Sequence, residues 1–250
     1  MAEFADIVYP HASVARHPDP FVSVVADITD RATDTRVVIF ETPCAMVVAF
    51  RGTVDLQNWV VNLNAIKERI SAKVAVHKGF LGAADALLPV IVEALLPAGA
   101  DKAKLKPLFV TGHSLGGALA SLVGYFLKQE GLPVAAVYTF ASPRVGNAAW
   151  RRAYHAALGE QTFRVVAQGD PVPLLPGLLT PPWAGYRHCG NEIYLTTDGR
   201  TWANPPRLFE ITRDAFRIWL AIKTGDVEWE LQFHSLAADY QQLLDQRYSL

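Results

Sequence analysis

Only two cysteines, Cys44 and Cys189, occur in the 250 residues of the chain. They lie far apart, and neither has a second thiol at metal-finger or redox-motif spacing, so structural zinc and thioredoxin-like chemistry are excluded. A core of the size this chain can bury needs no covalent staple, which favours two free thiols over one long-range disulfide. Charge is scarce as well: 19% of residues are charged, with 23 Lys and Arg against 24 Asp and Glu. A chain so evenly balanced has no general attraction to nucleic-acid phosphates or anionic lipid, so no nucleic-acid partner is expected. Long apolar runs are missing too. The greasiest stretch, 81–100, is broken by Asp85, Pro89, Glu93 and Pro97 and cannot span a bilayer. Residues 1–20 include Glu3, Asp6, His11 and Arg16 without an apolar stretch of signal-peptide length. The expectation is a soluble chain, cytoplasmic as it stands or secreted with a leader already removed.

Apolar residues are what the sequence has in quantity, 51% of the total, which demands a real core and rules out a disordered polyelectrolyte. No repeat, low-complexity tract or linker interrupts 1–250, and a single domain is expected. Short β-branched or apolar runs recur at 36–40, 45–50, 108–111, 136–140, 163–167 and 192–196. Several lack strict alternation, as strands covered on both faces do. Helix-like stretches lie between them at 82–96 and 116–129, the second stopping before Gly131. Alternation of this kind predicts an α/β fold with a mostly parallel central sheet and helices on both faces. The first two runs, only four residues apart, predict an antiparallel hairpin at one edge.

The strongest chemical signal is Gly112-His-Ser-Leu-Gly116, a G-x-S-x-G pattern. An apolar strand precedes it and a small-residue helix follows, the strand–turn–helix setting of a nucleophile elbow. The turn forces Ser114 into a strained conformation at the carboxyl edge of the sheet, where the helix N-terminus favours developing negative charge. Leu115, next in the chain, would offer its backbone N–H to an oxyanion. A serine hydroxyl needs a histidine to take its proton, and the imidazole needs a carboxylate to fix its tautomer. In the α/β-hydrolase arrangement these follow in the order Ser, acid, His. That order removes His11, His17 and His77 as the base; His113 would point away from the serine, and His155 sits in a surface helix. His188 and His234 remain. His188 precedes the 192–196 strand at its entry end, whereas His234 follows a short apolar run that could reach the sheet edge, and His234 is preferred. For the acid, Asp170 stands directly after the 163–167 strand, in a carboxyl-end loop where chemistry collects. Asp198 and Asp226 read as turn residues and Asp214 as a solvated helix charge.

These residues resemble the class 3 lipases, the fungal triacylglycerol lipases and their bacterial relatives. The resembling segments are Ala49-Phe-Arg-Gly-Thr53, Asn58-Trp-Val-Val-Asn-Leu63, Thr111 through Ala120, Phe140-Ala-Ser-Pro-Arg-Val-Gly-Asn147, Gly169-Asp-Pro-Val-Pro173 and Phe233-His-Ser-Leu236. They occur in the family's order, and as a set are highly specific. The resemblance implies an α/β-hydrolase fold, no cofactor, no metal, and a triad of Ser114, Asp170 and His234. It also implies that Thr53 completes the oxyanion hole with its N–H and hydroxyl, where one donor is worth ~3 kcal/mol of transition-state stabilisation. The segment 54–64 would carry a lid. Asp55 can cap a helix whose Leu56, Trp59, Val60 and Leu63 form one apolar stripe, ready for transient contact with a lipid–water interface. The stripe favours a lipase over a feruloyl esterase. The apolar, proline-stiffened loop after Asp170 suggests that Val172, Leu174, Leu175 and Leu178 line an acyl groove. The resulting expectation is a serine carboxylic-ester hydrolase acting on triacylglycerols and other fatty-acid esters. A feruloyl esterase, a phospholipase or a non-catalytic binding relative are the alternatives.

Overall fold

The β-branched and apolar runs of the sequence become strands because they can be covered on both sides. The computed structural model describes residues 1–9, 18–53, 55, 58–59, 63–97, 100–176, 185–205, 234–235, 240 and 243–244. In chain order the described strands are β1 (Ser23–Asp30), β2 (Thr35–Glu41), β3 (Met46–Phe50), β4 (Lys67–Arg69), β5 (Ala75–His77), β6 (Leu108–His113), β7 (Val134–Phe140), β8 (Thr162–Ala167), β9 (Asn191–Leu195) and β10 (Thr201–Ala203). Eight of them form one sheet in the order β1-β2-β3-β6-β7-β8-β9-β10, while β4 and β5 pair in a small separate ribbon. Neighbours from β3 through β9 are parallel. The edges are antiparallel, β1 on β2, β2 on β3 and β10 on β9. The expected hairpin is β2–β3, in register Ile39 to Val48, but β1 pairs outside it and forms the edge of the sheet.

Alternate side chains of these strands enter two different cores. On one face Val37, Ile39, Val48, Phe50, Val110 and Val137 pack under the helices Lys78–Leu95, Leu115–Gln129 and Ala148–Leu158. On the other face Val38, Phe40, Val47 and Ala49 meet Val8 and the N-terminal helix Ala2–Ile7. Tyr240 covers Phe140, Val165 and Ala167 farther along that face. All five residues of β3 are buried, which is why that run showed no alternation. The helix Leu115–Gln129 starts one residue earlier than the sequence suggests and stops at Gly131, whose φ of +79° is the left-handed turn that ends helices. The helix Lys78–Leu95 starts four residues earlier than expected, because His77 caps it by accepting the Phe80 N–H at 3.3 Å. Cys44 is exposed and Cys189 buried, both as free thiols. No helix among the described residues is long and apolar enough to cross a membrane.

Three loops leave the carboxyl ends of β3, β6 and β8 on the same edge of the sheet. They carry Thr53, Ser114 and Asp170.

Candidate active site

Ser114 sits between β6 and the helix it caps, with φ 56° and ψ −127°. A positive φ at a residue bearing Cβ costs about 1–3 kcal/mol and persists only where the surroundings enforce it. They do so here through backbone contacts on both sides. Ser114 N–H donates to Phe140 O at 2.9 Å, and Gly117 N–H donates to Ser114 O at 2.9 Å. A Cβ on Gly116 would lie 2.4 Å from Phe50 O, and one on Gly112 would lie 2.3 Å from Gly116 O. The turn therefore closes against the end of β3 only because those positions have no side chain. Leu115 opens the helix, so its N–H has no partner within the helix and points out at the sheet edge.

His234 and Asp170, the residues expected as base and acid, are brought into contact. His234 Nδ1 is 2.9 Å from both oxygens of Asp170, and the Asp170 side chain is fully buried. A carboxylate can only accept, so Nδ1 carries a proton, and in the neutral imidazole Nε2 presents a lone pair. Two more donors complete the carboxylate: Val172 N–H on Oδ1 at 2.9 Å and the Tyr240 hydroxyl on Oδ2 at 2.5 Å. Without them a buried anion would be strongly destabilising. Ser114 Oγ and His234 Nε2 are both buried, and neither has a hydrogen-bond partner among the described residues, so the bond between them is not made in this structure. An unsatisfied buried polar group typically costs about 1–3 kcal/mol, and here both atoms belong to side chains of the expected triad.

His113 is the residue whose place sequence reasoning missed. Its imidazole packs against His234. Its Nε2 lies 2.9 Å from His234 O, its Nδ1 2.7 Å from the Tyr9 hydroxyl, and the two imidazole rings are 4.5 Å apart. Burial, and secondarily the neighbouring His234, hold its pKa well below the usual histidine range. The competing base, His188, instead lies with Nε2 2.5 Å from Pro173 O and braces the loop after Asp170.

Thr53 follows β3 through the sequence Arg51-Gly-Thr53. Arg51 is buried and anchors this loop to the β1–β2 turn, donating to Asp34 O at 2.9 Å and Asp34 Oδ1 at 2.8 Å. Thr53 Oγ1 accepts the Asp55 N–H at 3.3 Å, which leaves the hydroxyl proton free to be given elsewhere. Thr53 and Leu115 border one cavity of about 600 Å³, shared with Trp59, Leu63, Asn58 and Asn64. Asp55 caps a helical turn, accepting the Asn58 N–H on its carboxylate at 3.1 Å and the Trp59 N–H on its carbonyl at 3.0 Å. Trp59 stacks on Phe80 at 6.2 Å, so it and Leu63 face the core from above the cavity. Leu56 and Val60 of the expected stripe lie outside the described residues, as does Leu178 of the expected groove. Val172 and Leu175 are buried and Leu174 half-buried, and none of the three borders this cavity. Val172 serves Asp170 through its N–H instead. Among the described residues no cluster of three His, Cys, Asp or Glu side chains is placed to hold a metal ion.

Residues 47–180 match the profile of the family described as Lipase (class 3). The chain belongs to the class 3 lipase family. It is 36% identical over 152 residues to secreted mono- and diacylglycerol lipase 1 of Fusarium solani, covering 60% of this chain and 44% of that protein. To secreted mono- and diacylglycerol lipase A of Penicillium cyclopium it is 34% identical over 180 residues, covering 70% and 57%. The chain thus spans about half the length of these class 3 relatives. Among solved structures, a mutant of MDLA from Penicillium cyclopium superposes with a TM-score of 0.71 at 26% identity, covering 86% of this chain and 87% of that one. A lipase from Rhizopus microsporus var. chinensis gives 0.65 at 28% identity, covering 77% and 71%. The fold is therefore the α/β-hydrolase fold of the fungal lipases.

Proposed function

We propose that this protein is a serine carboxylic-ester hydrolase whose substrates are acylglycerols, working as one domain through an acyl-enzyme on Ser114. The observation that carries the reading is the pairing of His234 Nδ1 with a buried, fully bonded Asp170 carboxylate, while His234 Nε2 and Ser114 Oγ are left without partners among the described residues. When an ester enters, the Ser114 hydroxyl turns to Nε2, gives up its proton and attacks the carbonyl carbon. The Leu115 N–H, with the Thr53 N–H and hydroxyl, receives the charge that develops on the carbonyl oxygen. His234 returns the proton to the leaving alcohol. A water activated at the same nitrogen then releases the acid, while Asp170 steadies the imidazolium in both halves.

The cavity beside Thr53 supports an ester with one apolar and one hydroxylated end. Trp59, Leu63 and Leu115 offer alkyl contact, and the polar part of the lining, which includes Thr33, Asp34, Asn64 and Lys78, offers hydrogen bonds to free glycerol hydroxyls. This matches partial glycerides, the substrates named for the Fusarium and Penicillium relatives. Of the segment 54–64, Trp59 and Leu63 border the cavity, and lifting Trp59 from Phe80 at a lipid surface would widen it. A non-catalytic binding protein has no use for a histidine held by a buried carboxylate behind a serine on a strained strand–helix turn, which speaks against that alternative.

The test is hydrolysis of mono-, di- and triacylglycerol emulsions beside a phospholipid and a feruloyl ester. The expected result is release of fatty acid from the glycerides, with the mono- and diacyl substrates turned over at least as fast as the triacyl. Turnover confined to the phospholipid or the feruloyl ester overturns the substrate class, and inertness toward every ester overturns the activity.

A further inference from the structure

The hydroxyl of Tyr9 stands where three parts of the site converge. It lies 2.7 Å from His113 Nδ1, and it is also bonded to the backbone N–H of Gly52 in the loop that carries Thr53. The approach to Gly52 is so close that a Cβ there would fall 2.3 Å from the Tyr9 oxygen, 2.7 Å from His113 O and 3.1 Å from Ser114 Cβ. His113 continues the chain of bonds, with Nε2 2.9 Å from His234 O. The protons can be placed by elimination. A carbonyl only accepts, so His113 Nε2 carries its hydrogen and Nδ1 is bare. Tyr9 must then donate to Nδ1, which leaves its oxygen to accept from Gly52.

We infer that Tyr9 is a positioning residue for ester hydrolysis, its hydroxyl tying the oxyanion loop at Gly52 to the backbone of His234 through His113. This rests on the ester-hydrolase reading of Ser114, Asp170 and His234. Each member suits the task. Burial raises the Tyr9 phenol far above its ordinary value, so it remains a donor. Burial keeps His113 neutral, which preserves its bare Nδ1 and spares His234 a second positive charge when it accepts the serine proton. The frame touches no substrate. It sets the distance between the oxyanion donors and the base, a quantity that decides how fast a bound ester reacts and not how tightly it binds.

The experiment is Tyr9→Phe, which keeps the ring and deletes one oxygen, with His113→Gln and His113→Leu as companions. Initial rates are measured on p-nitrophenyl butyrate and referred to the concentration of serine titratable by a phosphonate ester. For Tyr9→Phe the expected result is kcat lower by about 30-fold, the order of effect that a misplaced catalytic group produces. KM should stay within about threefold, because ground-state contacts are untouched. A glutamine amide in place of the His113 ring can donate to His234 O and accept from Tyr9, so His113→Gln should retain at least about ten times the kcat of His113→Leu. The inference is overturned if Tyr9→Phe keeps wild-type kcat per titrated serine, if its loss lies wholly in KM or in the fraction of folded protein, or if His113→Gln and His113→Leu are equally impaired. A wild-type protein without esterase activity defeats the underlying reading and this inference together, whereas an active wild type with an unimpaired Tyr9→Phe defeats the inference alone.

Discussion

Ser114→Ala is expected to lower kcat on p-nitrophenyl esters by about 10⁵-fold or more, the scale on which removal of a catalytic serine acts. The fold should not suffer. Ser114 Oγ bonds to none of the described residues, so the substitution breaks no hydrogen bond among them and removes one buried, unsatisfied hydroxyl. The positive φ at this position is as costly for alanine as for serine, so backbone strain is unchanged. The melting temperature should therefore equal or slightly exceed that of the wild type, the relief being worth at most about 1 kcal/mol. Activity and a thermal melt on the same preparation check both halves. A Ser114→Ala protein that keeps most of its turnover would refute the assignment of the nucleophile.

Asp170→Asn should cost about 10⁴-fold in kcat through a tautomer error. The carboxylate accepts from His234 Nδ1–H, Val172 N–H and the Tyr240 hydroxyl, and the Val172 donor cannot be reversed. An asparagine must give its carbonyl oxygen to Val172, which puts its amide N–H₂ in the place of Oδ2, against Tyr240 and within 2.9 Å of the His234 Nδ1–H. Tyr240 can rotate its hydroxyl and accept, but His234 can accept only by moving its own proton to Nε2. Nε2 then carries a hydrogen where the proposed mechanism needs a lone pair. The check is kcat across pH 5 to 9. A loss below about tenfold would show that the Asp170–His234 pair does not set the tautomer.

The features legible in the sequence are those that local pattern controls. The strand–turn–helix around Ser114 is written in consecutive residues, Val110 and Thr111 before it and Gly116 to Ala118 after it. Asp170 is marked by its place directly behind an apolar strand. What was not legible falls into three kinds. The first is edge structure: β1 is largely exposed, and its polar residues Asp27 and Asp30 look like loop, yet its backbone pairs with β2 on both sides of an irregularity at Val25. The second is contact between residues distant in the chain. Tyr9 and His113 are 104 positions apart and Tyr240 and Asp170 are 70 apart, and no periodicity announces either bond. The loop after Asp170 shows a third difficulty, because apolar and proline-rich composition suits a groove wall and a buried strut equally. Val172 and Leu175 are buried because that loop must deliver an N–H to Asp170 and close over it.

Catalysis at Ser114 is the claim on which the mechanism, the substrate reading and the role of Tyr9 all depend. A fluorophosphonate probe tests it directly, since it forms a stable adduct only with a serine whose proton a neighbouring base removes. Peptide mass spectrometry of the treated protein should show one modification, on Ser114, with esterase activity lost in proportion and labelling abolished by His234→Ala. Full inactivation with the adduct on another residue, or ester hydrolysis that continues while Ser114 carries the adduct, would contradict the account.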